Sequence, residues 1–404
     1  MFIQKAGIPD EMLQIALEPE AASVYCQTFP SPGSKGITKT GSKYVIVDIG
    51  GGTVDITVHE KLLDGKLKEL VKPSGAAWGG TSVDEAFYQL MIDVFGQQVL
   101  NKMKSDCPSC HLDLLRCFEN VKRTIHSDKK GFVNIRVPYV SLYSLCNSEL
   151  KTNINDVIRS CVLSNELRLL GDKLRIDASL ALSLFNTTSD NIIWLIKSVL
   201  HESGLNDMEG YILLVASFSE CKVIHENVQA AFENHTVIVQ EDPGAAVLKG
   251  AVLFGYKSDY ISSRVAKYTY GISVTVDFDK NIHAERRKCN VEGKEMCKNV
   301  FDSFMKVNTH NPLGLEIEKS YVTFVEKFQK SCLYRVFYTE NKNVKYIDED
   351  GCNLIGEVTL DILNPTAHVR EMKAIFLFGD TEFSLTTVVV ESGYKVKKFF
   401  EIKD

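Results

Sequence analysis

The chain has 404 residues, enough for about two or three domains, and its 45% hydrophobic and 24% charged residues are typical of a globular protein. A formal net charge of −6 excludes the broad basic surface that nucleic-acid binding needs, so nucleic acid is not an expected partner. No apolar run reaches about 18 residues and no signal-peptide pattern precedes Leu17, so we expect a cytoplasmic protein without a membrane span.

The eleven cysteines follow no regular framework, and in a cytoplasmic protein we predict that they are reduced thiols. One segment, Cys107-Pro-Ser-Cys110-His111, matches the attachment signature of a c-type haem. That motif is short and requires export to a compartment where haem is attached. We therefore favour the alternative, a helix-capping loop that happens to contain two cysteines.

The predicted elements alternate between helices and strands up to about residue 255. The N-terminal region is expected to end in a helix in which Pro19 occupies the first turn. Helical spacing of apolar residues predicts helices over 82–98, 113–125, 227–232 and 245–254, and a helix in two pieces over 176–204, broken near 186–189. Strands are predicted over 44–48, 53–59, 66–72, 132–140 and 211–215.

From about Lys267 onward the pattern changes to short β-branched or aromatic segments separated by Asn, Gly and Asp. This spacing predicts a β-sandwich domain.

The strongest chemical signal is the segment Asp48-Ile-Gly50-Gly51-Gly52-Thr53-Val-Asp55 between two predicted strands. Glycines let backbone N–H groups approach phosphate oxygens closely. A strand follows the turn, which excludes the P-loop and the dinucleotide fingerprint, because both need a helix at this point. Asp48 and Asp55 are suited to hold Mg²⁺ through water, while Thr53 offers a hydroxyl group to phosphate. The alternative is a hairpin with a flexible turn.

The arrangement in which Asp-x-Gly-Gly-Gly-Thr connects two strands resembles the second phosphate motif of the actin-like ATPases. Within that superfamily the chain resembles the seventy-kilodalton heat-shock proteins, and most closely their heat shock 70 kDa protein 12 branch. The segments that carry this resemblance are 6–8, 17–22, Gly79-Gly80 before a helix, 118–126, 211–215, 242–244, 249–255 and 378–382.

The resemblance implies an α/β fold: a partial actin-like ATPase domain, the second lobe with a remnant of the first, followed by an all-β sandwich-like domain. The implied boundaries are 1–40 for the remnant, 41–258 for the second lobe with an insert at about 79–190, and 264–404 for the β-rich domain. It also implies a chaperone of the stress response, with unfolded peptides or protein clients as partners.

The resemblance further implies ATP or ADP with Mg²⁺ as ligands and assigns the site residues. Glu18 would help to order Mg²⁺ and the attacking water beside Asp48 and Asp55. Glu119 and Lys122 would bond the ribose, and the guanidinium of Arg123 would stack on the adenine. Where the family has two glycines beside the nucleoside, this chain has Ala216-Ser217.

Several departures from the family pattern predict weak or no hydrolysis. No second Asp-x-Gly-Thr turn precedes Asp48, the catalytic lysine has no counterpart, and the interdomain linker and helical lid are not visible. The chain is either an incomplete product of a longer protein or a degenerate relative. A bare first-lobe remnant would leave Met12, Ile15 and Val24 uncovered, which favours the first explanation.

Two other functions stay open. In a pseudo-ATPase interaction or scaffold protein the nucleotide site would be vestigial, and Ala216-Ser217 supports that alternative. A sugar kinase on the same actin-like fold is the least favoured, because those enzymes carry no β-sandwich after the second lobe.

Overall fold

The computed structural model describes residues 15–206, 209–291, 293–322, 328–366, 368–378 and 382–401. Met12, the resemblance at 6–8 and residues 379–381 of the resemblance at 378–382 lie outside the described residues. The chain forms two compact units. The α/β unit comprises residues 18–61 and 74–256, and the β unit comprises residues 15–17 and 62–73 together with the described chain from Lys257 onward.

Helices are concentrated in the α/β unit. In chain order they are α1 (Glu18–Thr28), α2 (Gly80–Phe95), α3 (Gln97–Asp106), α4 (Pro108–Lys122), α5 (Tyr139–Leu145), α6 (Ile154–Ser160), α7 (Ala178–Ser183), α8 (Asn186–Ser203), α9 (Lys222–Ala231) and α10 (Pro243–Tyr256).

Strands occur in both units. They are β1 (Lys43–Ile49), β2 (Val54–Lys61), β3 (Leu67–Glu69), β4 (Ser74–Ala76), β5 (Phe132–Arg136), β6 (Leu167–Leu170), β7 (Lys173–Asp177), β8 (Gly210–Val215), β9 (His235–Val239), β10 (Ile261–Val265), β11 (Thr269–Asp277), β12 (Lys288–Val291), β13 (Lys294–Met305), β14 (His310–Pro312), β15 (Leu315–Val322), β16 (Ser331–Thr339), β17 (Asn353–Asp361), β18 (Glu371–Phe378), β19 (Glu382–Val389) and β20 (Lys395–Glu401).

The central sheet of the α/β unit has the order β4–β2–β1–β8–β9. β1 pairs antiparallel with β2 and parallel with β8, so it is hydrogen-bonded on both sides. Six of its seven residues are buried. A strand covered on both faces needs a continuous apolar run, which explains the sequence Tyr44-Val-Ile-Val.

Helix α1 packs against α10 and β1. A Cβ atom on Gly250 of α10 would overlap the backbone of Ala21, so this crossing depends on glycine. Val24 of α1 is fully buried, and the expectation that it is uncovered is therefore wrong. The helix is also fixed by a buried polar chain, in which the Ser23 hydroxyl lies 2.8 Å from both the Tyr44 hydroxyl and Nδ1 of His59.

Several predicted segments of the α/β unit differ in the structure. The helices predicted over 113–125 and 227–232 begin five residues earlier, and the break predicted near 186–189 lies before Asn186. The strand predicted over 132–140 ends at Arg136, because Pro138 is the N-cap residue of α5. The segment predicted as helical from residue 176 begins as the end of β7, and helix α7 starts only at Ala178. Asp177 accepts a hydrogen bond from the Ser179 N–H and thereby caps α7.

The β unit contains two antiparallel sheets, in the orders β12–β13–β11–β16–β17 and β15–β18–β19–β20. Side chains from both sheets share one hydrophobic core, in which Phe376 and Phe383 pack with Tyr270 and Val336. Strand β3 belongs to this unit and pairs parallel with β10. Across the described part of both units, no helix is long and apolar enough to cross a membrane.

Candidate functional site

The glycine turn between β1 and β2 is held through its carbonyl groups. Helix α2 begins beside it, and a helix start leaves N–H groups without intrahelical partners. Three such groups donate to the turn: Gly79 N to Gly52 O at 3.2 Å, Gly80 N to Gly50 O at 3.1 Å and Thr81 N to Gly51 O at 2.7 Å. The turn is therefore anchored on one side.

The opposite side of this turn presents its N–H groups. Gly51, Gly52 and Thr53 are exposed, and in the described part of the chain their N–H groups donate to no protein acceptor. Neither Gly51 nor Gly52 has a positive φ, and a Cβ atom on either would meet no heavy atom within 4 Å. The fold itself does not require glycine at these two positions. A bound anion would require it, because side chains there would fill the space in front of the N–H groups.

Three carboxylates meet at the β1 end of the turn. Asp48 and Asp55 are cross-strand partners and therefore project from the same face of the sheet. Asp48 is only 2% exposed, and its Oδ2 atom is buried without a hydrogen-bond partner. Burial, and next the negative charges of Glu18 and Asp55, raise the pKa of Asp48 to about 7. The structure thus brings together the three predicted catalytic residues.

This arrangement fits a cation that is held partly through water. Within the described ranges, no three His, Cys, Asp or Glu side chains could hold a metal ion by themselves. Mg²⁺ binds proteins through one or two carboxylates and keeps water or phosphate oxygens as its other ligands. The unpartnered Oδ2 of Asp48 and the neighbouring Asp55 match that requirement. Gly75 pairs with Asp55 across β4, and a Cβ atom at residue 75 would overlap the Asp55 carboxylate.

A cleft of about 560 Å³ opens beside the turn. Five predicted site residues line it, and other lining residues come from α2, α3, α4 and the segment after β8. The lining residues are Gly51, Gly80, Thr81, Asp84, Glu85, Tyr88, Lys104, His111, Leu115, Arg116, Glu119, Lys122, Arg123, Ser217 and Phe218. The other predicted site residues, Glu18, Asp48, Gly50, Gly52, Thr53, Asp55 and Ala216, are not among the described residues that line the cleft.

Lys122 connects the two helices that form the cleft. Its side chain is 2% exposed, and Nζ lies 2.9 Å from Gly80 O, 2.8 Å from Asp84 Oδ1 and 2.5 Å from Glu119 Oε2. An ammonium group has three N–H donors, so these three acceptors use all of them. Lys122 therefore holds the start of α2 against the end of α4, and its assignment as a ribose donor stays a prediction.

Glu119 also pairs with Arg123, and both side chains are accessible to solvent. Arg123 Nε donates to Glu119 Oε1 at 3.0 Å. Burial alone would raise the pKa of Glu119, but hydrogen bonds and charge from Lys122 and Arg123 outweigh it and lower that pKa below its usual range. The Arg123 side chain is 59% exposed, so its guanidinium group is accessible for stacking on a planar ligand.

Ala216 follows β8 and adopts a backbone conformation that usually requires glycine. Its φ is +67° and its ψ is 175°. A side chain in this region costs about 1–3 kcal/mol. Pro243 O accepts the Ala216 N–H at 2.9 Å, and Ser217, the next residue, lines the cleft. The two glycines expected at this point are thus replaced, yet the backbone keeps a glycine conformation at the first of them.

We expect Ala216→Gly to raise the free energy of unfolding of the α/β unit by about 1 kcal/mol. Relief of about 1–3 kcal/mol of backbone strain exceeds the roughly 0.4–1 kcal/mol of extra unfolded-state entropy that glycine brings. Urea unfolding followed by tryptophan fluorescence measures this unit, because both tryptophans of the chain, Trp78 and Trp194, lie in it. The control is Ala230→Gly on the exposed face of α9, which should lower stability by about 0.5–1 kcal/mol. Equal losses in both variants would contradict the strain at Ala216.

Other functional candidates escaped the sequence analysis. Asp84 and Phe218 both contact Lys122, the latter with its ring centroid 5.3 Å from Nζ. Gly79-Gly80 was noted only through the resemblance. The sequence could have indicated Asp84. It lies four residues after Gly80, and a carboxylate in the first turns of a helix can face a ligand bound at the helix start.

The Cys107-x-x-Cys110 segment caps a helix, as favoured from the sequence, but it forms the helix start and not a loop. Cys107 is the N-cap residue of α4, and Pro108 occupies the first helical position. The two cysteines are joined in a disulfide, so the prediction of reduced thiols is wrong for this pair. Nine cysteines are free thiols. The pairing follows from the i, i+3 spacing, which places both side chains on one face of the first helical turn.

Comparisons with known proteins identify relatives of this chain. The family described as a domain of unknown function (DUF8340) matches residues 38–205. The chain is 29% identical over 448 aligned positions to heat shock 70 kDa protein 12A of Homo sapiens, and 30% identical over 448 positions to heat shock 70 kDa protein 12B of Homo sapiens. Each of these two alignments covers 96% of this chain and 65% of the relative.

A bacterial protein matches a shorter part of the chain. Chaperone protein DnaK of Elusimicrobium minutum (strain Pei191) is 23% identical over 176 residues, which is 41% of this chain and 26% of that protein. The chain thus spans slightly less than two thirds of the length of its heat-shock relatives.

Proposed function

Because this chain is a relative of heat shock 70 kDa proteins 12A and 12B, we propose that it is a heat-shock-70-like protein that binds ATP or ADP with Mg²⁺ and hydrolyses ATP weakly or not at all. We further propose that residues 41–258 form an actin-like nucleotide-binding lobe. The observation that carries the proposal is the turn at Gly50–Thr53. Helix α2 holds its carbonyl groups, while the N–H groups of Gly51, Gly52 and Thr53 donate to no acceptor in the described part of the chain.

The phosphate end of the ligand would lie against these N–H groups. Backbone N–H groups that converge on one space bind phosphate without a positively charged side chain. Asp48 and Asp55 would hold Mg²⁺ through water beside the phosphates, and the cation would neutralise their charge. Glu18 starts α1 next to Asp48 and would accept a hydrogen bond from water in this region.

The nucleoside end would occupy the cleft between α2 and α4. Arg123 would stack on the base with its exposed guanidinium group, and Glu119 would accept a hydrogen bond from a ribose hydroxyl with the oxygen that bonds Arg123. Lys122 would act mainly by fixing the distance between Gly80 and Glu119. Ser217, which replaces the second glycine expected at this point, lines the same cleft.

We expect Gly51→Ala and Arg123→Ala each to weaken Mg-ADP and Mg-ATP binding by about tenfold or more. Loss of one stacking or phosphate contact costs about 1–3 kcal/mol, and 1.4 kcal/mol corresponds to a factor of ten. Calorimetric titration measures the affinity. Fluorescence of Trp78, adjacent to Gly79 and in edge-to-face contact with Trp194 at 5.9 Å, gives a second readout.

Two substitutions elsewhere serve as matched controls for this titration. Arg159→Ala removes an exposed arginine that also pairs with an acid on its own helix, and Gly255→Ala adds a Cβ atom in open space. Neither should change the affinity. A folded wild-type chain that gives no binding heat up to millimolar nucleotide would sink the proposal.

A second candidate function is an interaction or scaffold protein in which the nucleotide site is vestigial. The three acceptors that already saturate Lys122 favour it, because this lysine is assigned to the ribose in the family. Binding to a protein partner would then be unchanged by Asp48→Ala. In both cases we propose a cytoplasmic protein whose β unit binds unfolded peptides or protein clients, supported by relatives that are named as heat-shock and chaperone proteins.

A further inference from the structure

Cys107 and Cys110 form a disulfide and thereby differ from the other cysteines, which are free thiols. The two Cα atoms lie 5.4 Å apart, and both residues are only partly buried. They occupy the N-cap and first turn of α4, a helix of 15 residues. In cytoplasmic proteins a disulfide is usually transient and either catalytic or redox-sensing.

A helix N-terminus and two hydroxyl groups lie beside this pair. The N-terminus of a helix carries a partial positive charge, which lowers the pKa of nearby thiols in Cys-x-x-Cys motifs. Cys110 Sγ lies 3.1 Å from the Ser141 hydroxyl, and Cys107 Sγ lies 3.7 Å from the Ser109 hydroxyl. Both hydroxyl groups can donate to a sulfur anion.

Several other cysteines lie in the opposite environment. Burial raises the pKa of Cys26 to about 12 and that of Cys146 to about 11. Burial, with a smaller effect of the charges of Glu349 and Asp348, raises the pKa of Cys352 to about 11. Thiols of this kind are largely unreactive, because the thiolate is the nucleophile. Oxidation should therefore spare these three thiols.

We propose that Cys107 and Cys110 form a reversible dithiol–disulfide centre that exchanges with small-molecule disulfides such as glutathione disulfide. The inference does not rest on nucleotide binding. It concerns a place beside the cleft, however, since Lys104 and His111 flank the pair and both line the cleft.

The exchange takes two steps. The Cys107 thiolate, at the helix N-cap, attacks one sulfur of glutathione disulfide, forms a mixed disulfide and releases one glutathione thiolate. The Cys110 thiolate then attacks the Cys107 sulfur, which forms the internal disulfide and releases the second glutathione. The protein loses two electrons, glutathione disulfide gains them, and the two cysteine protons end on the two glutathione molecules.

The test is a redox titration of the full chain in glutathione buffers, followed by acid quenching, alkylation, trypsin and mass spectrometry. Cleavage after Lys104 and Arg116 gives the fragment Ser105–Arg116, which contains these two cysteines and no other. We expect one two-electron transition from doubly alkylated dithiol to internal disulfide. Its disulfide-to-dithiol ratio should change tenfold for each tenfold change in the ratio of glutathione disulfide to squared glutathione concentration.

The next tryptic fragment, Cys117–Lys122, provides an internal control, because Cys117 lies on the same helix and is free. It should stay alkylated throughout the transition. In Cys110→Ser, a mixed disulfide with glutathione should accumulate on Cys107, since the second step is blocked. The inference is wrong if the wild-type fragment stays a dithiol in every buffer, carries glutathione on both cysteines, or oxidises no more readily than Cys117.

Discussion

Replacing Gly79 with alanine is expected to lower the free energy of unfolding of the α/β unit by about 1–3 kcal/mol and to weaken nucleotide binding at least about tenfold. A Cβ atom at this position would lie 2.6 Å from Gly50 O, 2.7 Å from Gly52 C and 2.8 Å from Gly51 C. All three are backbone atoms of the Gly50–Thr53 turn, which cannot rotate away as a flexible side chain can. The turn must therefore move away from α2 and lose the hydrogen bonds from Gly79, Gly80 and Thr81.

Three measurements separate this effect from a general loss of stability. Urea unfolding by tryptophan fluorescence gives the free energy, calorimetry gives the affinity, and hydrogen exchange reports the amides of Gly80 and Thr81. Exchange at these two amides should accelerate in Gly79→Ala. Gly51→Ala is the matched comparison, since its Cβ atom meets nothing and should reduce the affinity alone. If Gly79→Ala binds nucleotide and unfolds like the wild type, α2 does not support the turn.

Asp48→Asn is expected to stabilise the α/β unit by about 2–4 kcal/mol at pH 7.5 in the absence of Mg²⁺. The pKa of Asp48 is raised from 3.8 to about 7 in the folded protein. Between these values the folded state binds more protons than the unfolded state, so the stability that this group contributes is present at low pH and lost as the pH rises. The slope is about 1.4 kcal/mol per pH unit from about pH 4 to pH 7.

Urea unfolding at half-unit intervals from pH 4.5 to 8 measures this slope. Asp48→Asn should lack it, whereas Asp190→Asn, which changes an exposed carboxylate on α8, should keep it. Millimolar Mg²⁺ at pH 7.5 should stabilise the wild type and leave Asp48→Asn unchanged, because the cation compensates the buried charge. Identical pH profiles of the wild type and Asp48→Asn would rule out this account of Asp48.

The pH also has a consequence for binding. Mg²⁺ needs the ionised carboxylate, and with a pKa near 7 the ionised fraction of Asp48 is roughly one tenth at pH 6 and nine tenths at pH 8. The Mg²⁺-dependent part of nucleotide affinity should therefore rise about tenfold between these values.

The sequence predicted the elements that local patterns encode. The strands on either side of Gly50–Thr53 were expected at nearly their observed positions. The helices that carry Asp84 and Glu119 were expected too, but their ends are displaced by two to five residues. The relations between elements were not predictable in this way, since Lys122 and Gly80 are 42 residues apart and no periodicity connects them. The conformation of Ala216 also escaped prediction, because alanine carries no signal for a positive φ.

The errors have local causes as well. Alternating residues from Phe132 to Val140 satisfy a strand pattern, but Pro138 lacks an N–H group and ends the pairing. Cys107 and Cys110 were expected to be reduced from the predicted compartment alone. Their spacing at a helix start favoured pairing, and this local geometry is what the structure shows.

The position of strand β3 in the sequence determines when it can pair with β10 during synthesis. It lies between two segments of the α/β unit, yet its partner in the β unit, β10, begins 194 residues later, from Leu67 to Ile261. At about 5–20 residues per second, the ribosome delivers that partner roughly 10–40 s after β3 has been made. Throughout this interval the α/β unit can complete its own core before β10 is available to pair with β3. A chain cut at Lys257 would leave β10 without β3, so the β unit should be produced together with residues 62–73.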